Sequence, residues 1–282
     1  MADRSGHNPI KVLKTFISFC VFTSLTLCSI ANAQDQQGSH TAKSSFDLPA
    51  ISIIIDDLGY TYQRDMRIAN LAAPITCAIL PHTPYGVMVA ERAHRLHKEI
   101  LLHQPMQAID NWDDLGPGAV SLDMDAAQFQ AIIRDNLNSI PHVTGINNHM
   151  GSLLTRHPGH MSWLMEVLEQ REDLFLVDSF TTSASVVGQI ANEYWIPNIR
   201  RDIFLDNERS IEHITAQFNK LLTTARKNGY ALAIGHPYPQ TITVLENLLP
   251  KLAKKGYHIV PVSTLLKIQN RKIKTWRAFL SP

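Results

Sequence analysis

The sequence predicts an α/β protein, a single-domain (β/α) barrel of seven or eight mostly parallel strands that is closed or nearly closed; a distorted or incompletely closed barrel is left open. Three observations predict it. Short apolar runs recur along about 230 residues, segments with helical spacing lie between most of them, and no linker-like stretch divides residues 48–268. Strands that alternate with helices are typical of parallel sheets, and seven or eight such units can form a barrel. An open doubly wound sheet is the alternative, but no glycine-rich nucleotide loop follows the first strand.

The first 33 residues have the order of a secretory signal peptide. Two lysines give a positive start, an apolar run covers residues 15–30, and Ala-Asn-Ala stands at 31–33, where signal peptidase selects small residues. The apolar run is shorter than the roughly 20 residues that span a membrane. We therefore predict a periplasmic protein with a cleaved signal (1–33), a flexible polar leader (34–47) and one domain over 48–282. No stable membrane anchor is expected after cleavage.

Charge and cysteine content exclude some binding partners and an intrachain disulfide. The sequence has 26 basic and 25 acidic residues; the signal removes three basic and one acidic, which leaves 23 and 24 and a net charge of −1. No basic run remains to follow a phosphate backbone, so nucleic acid is not a predicted partner. Only Cys77 stays in the mature chain, so no intrachain disulfide can form. Because it lies in an apolar run, we interpret it as a core residue.

Eight apolar runs are the strand candidates. In order, they cover residues 51–55, 75–80, 99–102, 143–146, 174–177, 203–205, 231–234 and 258–260. Helical spacing is found in five intervening segments, at 84–97, 125–139, 161–171, 211–228 and 241–255. Asp125 is a predicted helix N-cap, and Asn228-Gly229 and Lys255-Gly256 are predicted helix stops.

Polar side chains follow six of these strands at the point where each ends. They are Asp56-Asp57, His103, Asn147-Asn148-His149, Asp178, Asp206-Asn207 and Gly235-His236. Taken singly, each has a structural explanation. For Asp178, a role as a helix N-cap is as good an explanation as a role in a site. In a parallel barrel, however, the carboxyl ends of all strands open on one face, where active sites are built. The six together therefore predict one site.

The residue types favour metal chemistry. Two adjacent carboxylates repel each other unless a cation or proton lies between them. One carboxylate and two imidazoles can hold a divalent metal with open positions, the other carboxylate can act as general base, and a further histidine as general acid. Because side chains alternate along a strand, we expect Asp56 and Asp57 to point to opposite sides and to act differently.

Other mechanisms are less well supported. No Gly-x-Ser-x-Gly elbow is present, Cys77 has no evident base, and adjacent Asp56 and Asp57 do not match the carboxylate pair of a retaining glycosidase. A non-haem iron oxygenase would use the same set of two histidines and one carboxylate, and it predicts iron-dependent oxygen consumption.

Seven segments together resemble the divergent polysaccharide deacetylases, the YibQ-type branch of the carbohydrate esterase superfamily. They are IIIDDLG (53–59), LLHQPMQ (101–107), GINNHMGS (145–152), FLVDS (175–179), RDIFLDN (201–207), AIGHP (233–237) and IVPVSTLL (259–266). These segments run in order through nearly the whole predicted domain, and GINNHMGS is the most specific of them.

The resemblance implies a role for each site residue. It makes Asp56 the general base and Asp57, His103 and His149 the ligands of a divalent metal, most simply Zn²⁺. His236 would protonate the leaving amine, and Arg201 would orient the base. Two departures stand out: the two ligand histidines are 46 residues apart instead of forming His-x-x-x-His, and the Arg-x-Pro motif is not recognisable.

The function that this resemblance implies is hydrolysis of amide C–N bonds, with an N-acetylated envelope polysaccharide or its fragments as the carbohydrate substrate. The alternative is a catalytically inactive periplasmic protein that keeps the metal pocket to bind a glycan or a partner. The presence of metal without acetate release would indicate the alternative.

Overall fold

A curled sheet of nine strands forms the centre of the fold. The computed structural model describes residues 48–110, 115–171 and 173–280, without the side chains of residues 274–280. The predicted signal peptide (1–33) and leader (34–47) lie outside the described residues.

Strands and helices alternate along most of the described chain. The strands are β1 (Ala50–Leu58), β2 (Thr76–Ile79), β3 (Glu99–Met106), β4 (Val143–Met150), β5 (Phe175–Asp178), β6 (Asn198–Arg200), β7 (Ile203–Phe204), β8 (Tyr230–Gly235) and β9 (His258–Ile259). The helices are α1 (Tyr62–Ala69), α2 (Gly86–Arg95), α3 (Ala126–Ser139), α4 (Pro158–Glu169), α5 (Val187–Glu193), α6 (Ile211–Asn228), α7 (Pro239–Leu248) and α8 (Val262–Leu280).

The strand order is β6-β5-β4-β3-β2-β1-β8-β7, with β9 also beside β1, and every pairing is parallel. Within the described residues no ladder joins the two ends, β6 and β7, so the sheet curls into a barrel that does not close. In the sequence, only Arg201 and Asp202 separate these two strands. The Arg201 N–H donates to Asp178 O at the end of β5, and the Asp202 N–H donates to Leu232 O of β8. The α/β barrel that the sequence predicts is thus confirmed, and this seam leaves it incompletely closed.

The central strands are buried on both faces, as their continuous apolar runs predict. All but one of the nine residues of β1 are buried, and the side chains of Ile53 and Ile55 belong to one apolar cluster while Ile54 belongs to another. Cys77 is also fully buried, which confirms it as a core residue; burial raises the pKa of its thiol to about 12.

Two of the helix signals are confirmed in detail. Asp125 caps α3 in a capping box, in which its side chain accepts from the Gln128 N–H and the Gln128 side chain accepts from the Asp125 N–H. Gly229 ends α6 in the left-handed conformation (φ 83°), which glycine adopts without steric cost. Among the described residues, no helix has the length and apolar character that a membrane span needs.

Candidate metal centre

The carboxyl ends of β1, β3 and β4 bring three predicted ligands together. Asp57 Oδ1 lies 3.1 Å from His103 Nε2 and 2.9 Å from His149 Nδ1, and the two ring nitrogens are 3.2 Å apart. These residues are the one group of three or more potential metal ligands that the described part of the chain contains. The three atoms form a nearly equilateral triangle, although the residues are up to 92 positions apart in sequence.

The local backbone explains how Asp57 reaches this triangle. The pairing of β1 with β2 shifts register between Ile55 and Leu58, and Asp57 has a left-handed backbone conformation with φ 58°. This irregularity, which resembles a β-bulge, turns the Asp57 side chain away from the alternation of a regular strand. Asp56 Oδ2 lies 3.6 Å from His103 Nε2, so both carboxylates approach the same imidazole. Our expectation that they point to opposite sides is therefore wrong.

The triangle fits a divalent metal. Zinc ligands at about 2.0–2.1 Å from the ion are about 2.9 Å apart in octahedral and about 3.3 Å apart in tetrahedral coordination, and the observed separations lie in this range. Asp57 Oδ1 is buried and accepts no well-formed hydrogen bond, although two ring nitrogens face it. Three lone pairs that converge on one point, with one oxygen left unsatisfied, are what a cation would require.

Asn147 orients both a ligand and the second carboxylate. Its Oδ1 lies 2.9 Å from His103 Nδ1, so it accepts a hydrogen bond there and leaves the lone pair of Nε2 free for a metal. Its Nδ2 donates to Asp56 Oδ1 at 2.8 Å. Asn147 was noted as a polar residue at a strand end but was not predicted as a site residue. It is the direct register partner of His103 across β3 and β4.

The two carboxylates have opposite protonation tendencies. Burial raises the pKa of Asp56 more than His103 and His236 lower it. Burial also acts to raise the pKa of Asp57, but its contacts with His103 and His149 outweigh burial, so this pKa lies well below the usual range. Burial lowers the pKa of His103, and the Asp56 and Asp57 carboxylates more than offset this and raise it. The site thus favours a positive charge among these groups, as a proton or as a metal.

His236, after β8, is held by a carboxylate that was not on our predicted site list. Its Nδ1 lies 2.9 Å from Asp206 Oδ1, and its Nε2 lies 3.7 Å from Asp57 Oδ2. Burial lowers the pKa of His236, but the hydrogen bond to Asp206 and the nearby carboxylates outweigh it and raise this pKa to about 9. Asp206 also accepts from the His236 N–H and the Thr241 hydroxyl. Its position after a strand predicted that it lies near the site, but the sequence did not reveal its role as the partner of His236.

Arg201 lines the same cavity without contacting Asp56 directly. Its Nε donates to Ser179 O at 2.7 Å and its Nη2 to Phe180 O at 3.0 Å. Burial lowers its pKa, which Asp56 and Asp178 counteract from a distance. Among the described residues, the hydrogen bond to Asp56 comes from Asn147, so orientation of the base by Arg201 stays a prediction. Asp178 accepts from the Phe180 N–H and the Ser185 hydroxyl and lies outside α5, so it forms a local turn and does not cap that helix.

The three ligand residues line one cavity of about 530 Å³ at the carboxyl ends of the strands, together with Asp56, Arg201, Asp206 and His236. The end of β4 and the segments that follow β5, β6, β7 and β8 complete its wall. The structure therefore brings the metal triangle, a raised-pKa carboxyl and a carboxylate-bound imidazole into one open pocket.

Comparisons with known proteins agree with this arrangement. A family model described as divergent polysaccharide deacetylase matches residues 53–266. The chain is 33% identical over 217 residues to the uncharacterised protein YibQ of Escherichia coli, covering 77% of this chain and 65% of that one. It is 38% identical over 202 residues to an uncharacterised Haemophilus influenzae protein, covering 72% and 71%. The chain thus spans about two thirds of the length of these relatives.

The fold also matches a solved structure. The crystal structure of an uncharacterised protein from Agrobacterium tumefaciens superposes with a TM-score of 0.74 at 21% identity and covers 77% of this chain and 89% of that one. At this identity, the match concerns the fold alone.

Proposed function

Because the chain belongs to the divergent polysaccharide deacetylase family, we propose that it is a metal-dependent hydrolase that acts on the periplasmic cell envelope. It removes acetyl groups from an N-acetylated polysaccharide or its fragments by hydrolysis of the amide C–N bond. The observation that carries this proposal is the triangle of Asp57, His103 and His149, with Asp56 3.6 Å from His103 and His236 3.7 Å from Asp57.

Asp57, His103 and His149 would hold the metal, for which we propose zinc. A zinc ion bound by three protein ligands acidifies water and polarises a carbonyl. Asn147 sets the ring orientation of His103 for this purpose, since it accepts the Nδ1 proton.

Asp56 and His236 would divide the proton transfers. Asp56 accepts the proton of the attacking water, and its burial, which raises the pKa, brings it closer to the working range of a general base. The hydrogen bond to Asp206, together with the Asp57 and Asp56 carboxylates, outweighs burial and raises the pKa of His236 to about 9, which favours a proton on Nε2 that His236 would donate to the departing nitrogen. The products are acetate and a free amine; Asp56 then gives up its proton and His236 regains one from solvent, so that both residues return to their starting states.

The metal assignment is tested by substitution of the histidines. We expect His103→Ala and His149→Ala to lose most bound metal, measured by elemental analysis, and to melt at lower temperature than the metal-loaded parent, because bound metal stabilises only the folded state. His94→Ala on the surface of α2 is the matched control and should keep both properties. Full metal occupancy in both variants would show that other residues bind the ion.

The activity is tested on the same samples by acetate release from N-acetylglucosamine oligomers and from peptidoglycan. We expect metal-dependent release by the parent and by His94→Ala. Metal binding without acetate release from any such substrate would support the rival, an inactive glycan- or partner-binding protein.

A further inference from the structure

One wall of the cavity is a row of five side chains, which we call the cation–aromatic row: Arg201, Phe204, His236, Tyr238 and Arg209. The Arg201 guanidinium carbon lies 4.8 Å from the Phe204 ring centroid, and the Phe204 and His236 centroids are 5.5 Å apart. His236 stacks on Tyr238 at 5.4 Å, and the Arg209 guanidinium carbon lies 3.9 Å from the Tyr238 ring. The contacts run in this order, so a guanidinium stands at each end with His236 between them.

Both guanidinium groups are held by neutral partners. Arg201 donates to the carbonyl oxygens of Ser179 and Phe180, and Arg209 Nη2 donates to Tyr238 Oη at 2.9 Å. Within the part of the chain that the structure describes, no carboxylate forms an ion pair with either arginine at 4.0 Å or less. Asp56 and Asp178 act on Arg201 from farther away. Because arginine stays charged at every working pH, the two ends of the row carry positive charge with no carboxylate in direct contact, whereas His236 between them is paired with Asp206.

The proposed chemistry uses only part of this row. Arg209 is exposed and has no hydrogen bond or ion pair with the metal ligands, Asp56 or His236, yet it lines the same cavity. Its hydrogen bond to Tyr238 and its stacking on that ring restrict the side chain before any ligand binds. Restraint of this kind lowers the ordering cost of binding, and a guanidinium fork matches the oxygens of carboxylate and phosphate.

We propose that the cation–aromatic row is a subsite for an oxyanion of the substrate. The glycan that this protein deacetylates then carries a carboxylate or a phosphate on the acetylated sugar or on the adjacent one. This inference rests on the proposed deacetylase function for the choice of a glycan, but the oxyanion site can be measured by binding alone.

The test uses three glycans and the metal-loaded protein with Asp56→Asn as parent, so that turnover does not disturb the measurement. The glycans are peptide-free peptidoglycan strands, whose alternate sugars bear a lactyl carboxylate, the same strands with these carboxyls reduced to alcohols, and a phosphorylated N-acetylhexosamine oligomer. Affinities are measured by titration calorimetry. The variants are Arg209→Gln, the charge-retaining Arg209→Lys, and Arg134→Gln on the exposed face of α3 as matched control.

We expect the parent to bind an anionic strand about tenfold or more tightly than the reduced one, because hydrogen bonds between charged groups are stronger than those between neutral groups. Arg209→Gln should lose this difference, Arg209→Lys should keep part of it, and Arg134→Gln should behave as the parent. If the gain in affinity is confined to the carboxylated glycan, the oxyanion is a carboxylate; if it is confined to the phosphorylated glycan, the oxyanion is a phosphate.

Two results would overturn the proposal: equal affinity of the parent for all three glycans, or equal loss in Arg209→Gln for the reduced and the anionic strands. Failure of the proposed function has a different signature, which is charge-selective binding by a wild-type protein that releases no acetate.

Discussion

At the scale of single residues, Asp57 is the one metal-ligand candidate with a left-handed backbone. A non-glycine residue in the left-handed region costs about 1–2 kcal/mol, and aspartate and asparagine tolerate it best. The strained conformation occurs where the Asp57 carboxylate lies within 3.1 Å of the ring nitrogens of His103 and His149. The backbone also decides which substitutions are informative, since asparagine keeps both the shape and the tolerance for φ 58°.

Asparagine at each of the two acidic positions therefore separates their roles. We expect Asp56→Asn to keep the fold and the metal and to lower acetate release about a hundredfold or more, because general-base catalysis contributes about 10²–10⁴. We expect Asp57→Asn to lose both metal and activity. Metal content and acetate release are measured on the same samples. Loss of metal by Asp56→Asn together with its retention by Asp57→Asn would reverse the assignment.

The residues with titratable side chains at strand ends could be assigned a role from the sequence, whereas the role of Asn147, which acts through other residues, could not. Asp56, Asp57, His103, His149 and His236 are titratable groups at strand ends, and all of them line the cavity. Asn147 carries no charge, and its importance depends on the register that pairs it with His103, 44 residues away. The side chain of Asp57 depends on a local register shift that the alternation of a strand does not reveal.

At the scale of elements, β4 carries both Asn147 and His149 and packs closely against its neighbour. Gly145 pairs with Phe175 of β5, and a Cβ at this position would lie 2.8 Å from Phe175 O and 2.9 Å from a ring carbon of Phe175. Contacts this short require the strands to separate or the ring to move. The glycine of the GINNHMGS segment is thus explained by close strand packing.

We expect Gly145→Ala to lower the free energy of unfolding by about 1–3 kcal/mol, the usual effect of overpacking. Gly159→Ala, near the start of α4, is the matched control because no heavy atom lies within 4 Å of its added Cβ. Since alanine favours helix, the control should be neutral or stabilising by up to about 1 kcal/mol. Urea unfolding followed by circular dichroism measures both. Equal stability of the two variants would contradict the packing explanation.

Strands with an apolar run were predicted even where they are short, since β7 and β9 lie within the predicted runs 203–205 and 258–260. The segment 211–228 coincides with α6, while 241–255 contains α7 only to Leu248, followed by two short 3₁₀ helices. Strand β6 was missed because its three residues contain one buried apolar side chain, and its backbone is ordered by hydrogen bonds to β5. The bounds of such a strand depend on its partner more than on its own sequence.

At the scale of the whole molecule, the fold class followed from the sequence because parallel strands buried on both faces read as continuous apolar runs. The degree of closure did not follow, since it depends on how two short edge strands face each other. The location of the protein depends on the N-terminal residues, which the described structure does not include.

For that region we expect export with cleavage of the signal. The mature protein should begin near Gln34 and be recovered in the soluble periplasmic fraction, because residues 1–33 have the order of a signal peptide and too short an apolar run to remain as an anchor. N-terminal sequencing of the fractionated protein is the measurement. An intact N-terminus on membrane-bound protein would contradict it.

The open seam has a consequence for the behaviour of the protein in a crowded compartment. An open sheet exposes unpaired N–H and C=O groups at its edges, and such edges recruit strands of other chains and lead to aggregation. Here both edges belong to strands of only three and two residues, β6 and β7. Edges this short offer a foreign strand too few pairing sites for a lasting ladder. The barrel can thus leave its wall open beside the cavity without presenting a template for intermolecular β-sheet growth.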